Sequence, residues 1–118
     1  MSITRRLRQD DLEPYFNAFS KRFLINESTD VADVEVLSPA LGDQYIAEGA
    51  HICGITYNRR NNELDISLEG DDHRTFRPKE VWSIEEEDGF VRAIEIVHDD
   101  DTREIVRVRR FGLGRRAD

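Results

Sequence analysis

From Val34 to Phe111 apolar and polar residues alternate in short runs, each closed by a polar turn, and one amphipathic segment stands before them. In that segment Leu12, Tyr15, Phe16, Phe19 and Phe23 recur at three- and four-residue steps, which stacks them on one helical face. Glu13, Asn17, Lys21 and Arg22 fall away from it. The spacing predicts a helix from Asp11 to Leu24, within outer bounds of 10–25. Pro14 lacks an N–H and is best placed in the first turn, so Asp11 is the expected cap. Four aromatic rings on one stripe are too much apolar area for water, so this helix is expected to pack on a sheet.

The rest reads as strands. Val34 and Val36 alternate with Asp33 and Glu35, and Gln44 to Glu48 alternates weakly. Gly49 and Ala50 suggest a bend before a central strand, His51–Tyr57, in which Gly54 marks a bulge or a close approach of the helix. Residues 58–62 form a hairpin loop rich in asparagine, which tolerates left-handed backbone. Leu64, Ile66 and Leu68 then face a core and Glu63, Asp65, Ser67 and Glu69 face water. Arg74–Phe76 is read as a loop or very short strand before Pro78. Trp82 and Ile84, then Phe90, Ile94 and Ile96, then Ile105, Val106 and Val108 carry the last strands, with Phe111 folding back. Short connections exclude parallel crossovers and give an antiparallel meander. The expected class is α+β: one domain over 1–118, with an N-terminal segment at 1–9, the helix at 10–25, a twisted sheet of six or seven strands at 33–111 that has room to curl into a half-barrel, and a frayed basic tail at 112–118.

Composition narrows the function classes. The net charge is −8 over 118 residues, and it is uneven. Residues 1–8 hold three arginines and no acid, residues 103–118 hold six arginines against Glu104 and Asp118, and the remainder holds 8 bases against 23 acids, a balance of −15. Such a body repels polyanions, so nucleic acid is an unlikely partner. One cysteine fits a reducing cytoplasm, no run is long and apolar enough for a membrane span, and the N-terminus does not read as a signal peptide. Cys53 is expected to be a buried, inert thiol, and Trp82 a core residue.

The strings LGDQ at Leu41–Gln44, GITY at Gly54–Tyr57 and LEGDDH at Leu68–His73, with RPKEVW, AIEIV and REIVRV after them, resemble a family of small bacterial proteins described only as a domain of unknown function. The resemblance implies a fold and no activity. Where the family pattern has an aliphatic residue between the glycine and the aspartate of its LEG-x-DH string, this chain has Asp71.

No nucleophile–base pair, zinc spacing, phosphate loop or cofactor fingerprint is present in the sequence, so no catalytic residue and no cofactor is expected. Two constellations remain. His51, His73 and His98, among Asp71, Asp72 and Asp99–Asp101, would line a cation site if residues 74–80 form only a loop; a full strand there sends His98 to the far edge of a meander. Asp43 and Gln44 with Asp72 and His73 would line a pocket in which Asp72 holds a neutral His73; the plainer reading is that they tie loops down. The arginines at 103–116 either form an anion strip or pair across strands with outward acids such as Glu95, and pairing is favoured. The reading these features support is a cytoplasmic, non-enzymatic binding or interaction module. A homodimer is one answer to its exposed edge strands; a divalent-cation protein is the first alternative and a small enzyme the second.

Overall fold

A computed structural model describes residues 2–25 and 30–109, with the side chains of 22–25 excepted. Expectations placed on the Phe23 side chain, Phe111, Arg110 and the tail at 112–118 lie outside the described residues. The elements are β1 (Ile3–Leu7), α1 (Gln9–Ile25), β2 (Val31–Ser38), β3 (Gly42–Asn58), β4 (Glu63–Leu68), β5 (Asp71–Phe76), β6 (Glu80–Glu85), β7 (Val91–Val97) and β8 (Arg103–Arg109). Among the described residues the sheet has 8 antiparallel strands in the order β1-β6-β7-β8-β2-β3-β4-β5. It exceeds the expected six or seven because residues 3–7 form a strand and residues 71–76 form a full one.

The order is not that of one meander. β2 to β5 and β6 to β8 each run as hairpins, and β8 then pairs with β2. β5 and β6 stand six positions apart, about 29 Å in a flat sheet. The link between them, residues 77–79, spans at most about 14 Å. The sheet therefore has to curl. The curl is made in β3, whose first part pairs with β2 up to His51 and whose second part pairs with β4 from Ile52. Register shifts lie near Ala47 and Gly54, and bulges of this kind bend a strand from one sheet half into another.

Helix α1 lies in the curl, with Leu12, Phe16 and Phe19 buried against Val34, Ile55, Leu64, Ile66, Ile94 and Val106. It starts at Gln9, two residues before the expected cap, with the Asp11 N–H donating to the Arg8 carbonyl. Pro14 thus lies inside the helix, where it removes one hydrogen bond; burial of the aromatic face outweighs that loss. Ser20 fixes the helix to β3: its hydroxyl donates to the Ile55 carbonyl at 2.8 Å and accepts the Ile55 N–H at 2.9 Å. A Cβ on Gly54 would come within 2.8 Å of that hydroxyl, so the glycine marks both a bulge and a close helix approach.

Two core assignments need correction. In β6 the inward residues are Val81 and Ser83; Trp82 is on the outer face, half-buried, with Nε1 donating to Glu80. Both parities of that strand carry apolar groups, so alternation alone could not choose. Cys53 is exposed, because the bulge beside it turns it away from the helix.

Candidate functional site

On β8 the residues Glu104, Val106 and Val108 share the inward face, which puts a carboxylate in an apolar row. Its register partners are Val36 on β2 and Ile96 on β7. On β5 the residues His73 and Thr75 share one parity and point inward from the other sheet half. In a flat sheet β5 would stand four spacings from β8, about 19 Å. The curl closes that gap. His73 Nε2 lies 2.5 Å from Glu104 Oε1, and the Thr75 hydroxyl donates to the same oxygen at 2.7 Å. His98, in the turn after β7, places Nε2 2.5 Å from the other oxygen, Oε2. One buried carboxylate therefore joins a strand of each sheet half and a turn.

The electrostatics follow from this geometry. Burial pushes the Glu104 carboxyl up, but the hydrogen bonds from His73, Thr75 and His98 outweigh it and hold the group below its ordinary value. Both carboxylate oxygens are engaged by protein donors. Among the described residues no group of three or more His, Cys, Asp or Glu side chains is arranged to hold a metal ion. An open hollow of about 320 Å³ lined by Phe76, Arg77, Asp99, Asp100 and Thr102 adjoins His98.

Of the residues singled out in the sequence, His73 and His98 are brought together. A full strand at 71–76 does not send His98 away, because that expectation supposed an uncurled sheet. His51 is elsewhere: it pairs with Val31, whose β8 partner is Arg109, five residues or about 17 Å along β8 from Glu104. Asp72 has the opposite parity to His73 and pairs with Ser67, on the outer face it shares with Asp65, whose carboxyl is raised by burial and by the charge of Asp72. The group that holds His73 is Glu104, not Asp72. Asp43 and Gln44 lie exposed at the start of β3. Glu104 and Thr75 were missed, although a parity reading of REIVRV puts Glu104 in the row of Val106 and Val108.

The outer face of β8 carries a ladder of ion pairs: Arg103 with Glu95 at 2.5 Å, Arg107 with Glu35 at 2.7 Å and Arg109 with Asp33 at 2.9 Å. These arginines are spent on cross-strand carboxylates.

A second region stands out by exposure. From Gly42 to Glu48 only Ala47 is partly covered, and β3 there pairs with β2 alone. In this distal part of the β2–β3 hairpin, the arm, β2 stays paired with β8 as far as Leu37, and β3 beside it is an edge of the sheet among the described residues. It presents Leu41, Tyr45 and Ile46, respectively 73%, 53% and 49% exposed. Ser38 holds its tip by accepting the N–H groups of Ala40 and Leu41, and Gly42 adopts φ +80° at the turn.

A family of unknown function, DUF5335, matches residues 3–113. An uncharacterized protein of Aquifex aeolicus (strain VF5) is 32% identical over 107 residues, covering 90% of this chain and 92% of that protein. No solved structure matches. The chain belongs to the DUF5335 family, and its function is unknown.

Proposed function

We propose that this member of the family is a small protein-interaction module whose docking element is the β2–β3 arm. The observation that carries the reading is the exposure of Leu41, Tyr45 and Ile46 on an edge segment of which only Ala47 packs against the core. Large apolar side chains clustered in water are unfavourable by about 25 cal/mol per Å². A cluster of this kind, with polar groups at its border, is the usual mark of a docking surface. Asp43 and Glu48 form that border, so the partner surface is apolar with a basic rim. The His73–Glu104–His98 cluster is structural in this account, since its polar groups satisfy one another. The exposed Cys53 thiol suits a reducing compartment.

The test is site-specific photo-crosslinking in a bacterial host with a benzophenone amino acid at position 46 and, as control, at position 87, an exposed turn between β6 and β7. A discrete product from position 46 alone is expected, and the purified partner should bind the native chain and not Ile46→Asp. The same products from both positions, or none, would contradict the reading.

A further inference from the structure

We infer that a hollow at one end of the curl is the seat of this chain's own C-terminal segment, residues 110–116, with Phe111 as its anchor. The inference is independent of the arm. The inward row of β8 runs from Glu104 through Val106 to Val108. Its Glu104 end is closed by His73, Thr75 and His98. Its Val108 end opens on a hollow of about 650 Å³. Phe90 and Val108, both members of the buried core, supply the apolar part of the lining. The turn residues Glu86, Glu87 and Asp88 supply the polar part, with Arg92 and Arg109.

Chain continuity brings the segment to this hollow. Arg107 is the register partner of Ala93 on β7. Continued by two residues, that antiparallel register sets Arg109 beside Val91, so the next residue of the chain enters beside Phe90. Arg109 itself lines the hollow. Seven residues extend to about 24 Å, and a sphere of the hollow's volume is about 11 Å across. The segment is therefore long enough to cross it. A peptide from elsewhere would lose its overall freedom of motion on binding, whereas a tethered segment arrives at high effective concentration.

The residues of the segment suit the lining. Phe111 and Leu113 are apolar, Arg110, Arg115 and Arg116 are basic, and no acid lies among residues 110–116. Phe111 and Leu113 set against Phe90 and Val108 take apolar area out of water, and two aromatic rings in contact gain further from edge-to-face packing. The bases already near the turn are answered within the chain. Arg92 lies 3.3 Å from Glu86, Arg5 lies 3.3 Å from Glu85, and Arg109 lies 2.9 Å from Asp33. The local sum over residues 85–88 is thus four acids against Arg5 and Arg92, or −2. Guanidinium groups entering from the segment meet that excess with the opposite sign.

NMR spectroscopy of the full native chain tests this without any substitution. Nuclear Overhauser contacts are expected from the Phe111 ring protons to the Phe90 ring and the Gly89 amide. Phe111→Ser should abolish them and shift the amide signals of Glu86 to Gly89, while those of Gly42 to Glu48 stay in place. Glu87→Lys should lower the intensity of the native contacts, more at low than at high ionic strength. In a mixture of isotope-labelled and unlabelled chains the contacts should appear within one chain. Contacts found only between chains would seat the segment of a second copy and overturn the inference. A Phe111 ring with no contact to residues 86–92 overturns it as well. A link within one chain adds no mass, so a segment seated here leaves position 87 a valid control for partner crosslinking.

Discussion

The His73–Glu104–His98 cluster and the β2–β3 arm are opposite solutions to the same problem of where to put groups that dislike their surroundings. The cluster buries a carboxylate in an apolar row and then supplies Thr75 and two imidazoles around it. The arm leaves Leu41, Tyr45 and Ile46 in water and supplies nothing. A polar group satisfied within the chain is evidence about folding. An apolar group left unsatisfied by the chain is evidence about what lies outside it. By that contrast the residues richest in chemistry hold the fold, and the chemically plainer ones face a partner.

The contrast breaks most sharply at Glu104. Glu104→Ala removes the acceptor that joins β5, the β7–β8 turn and β8, and leaves donors of His73, Thr75 and His98 facing an apolar row. The expected loss is about 3 kcal/mol by urea unfolding. A loss under about 0.5 kcal/mol would mean the cluster does not tie the sheet halves together.

Next in size is Gly54→Ala. The new Cβ would press on the Ser20 hydroxyl that bridges α1 to Ile55, and the expected destabilisation is about 1–3 kcal/mol. Ser20→Ala in the same background should recover part of it, since it makes room at the point of contact. No recovery would show that the strain lies in the backbone.

A smaller effect is expected in acid. The Glu104 carboxyl is held below its ordinary value in the folded chain. A carboxylate depressed in this way binds fewer protons folded than unfolded, so its contribution is present above the unfolded value and is lost as pH falls through the folded one. Melts at pH 6 and downward should therefore show Glu104→Gln less sensitive than the native chain below about pH 4. Parallel curves would place the acid sensitivity elsewhere, with Asp33, held low by the Gly49 N–H and Arg109 against its own burial, the next group to vary.

Much of the architecture was legible because burial imposes a period. The aromatic stripe of α1 and the alternation of Leu64, Ile66 and Leu68 each permit one orientation, and the structure adopts it. Where both parities are apolar, as in β6, period two is silent, and only the structure shows that Trp82 faces outward. The site was harder to read because it depends on curl. Neither the 77–79 link alone nor His73 and His98 alone says that β5 reaches β8; the strand order does. Glu104 was hidden for a related reason. A charged residue beside apolar ones is read as outward, and only the parity of Val106 and Val108 shows otherwise.

The central claim is that the apolar groups of the arm do nothing for the fold and something for association. The direct measurement is a Tyr45→Ser, Ile46→Ser double variant, unfolded in urea at low micromolar concentration and titrated with the partner isolated by crosslinking at position 46. The account predicts stability within about 0.5 kcal/mol of the native chain and loss of partner binding. A clear drop in stability with association unchanged would contradict it.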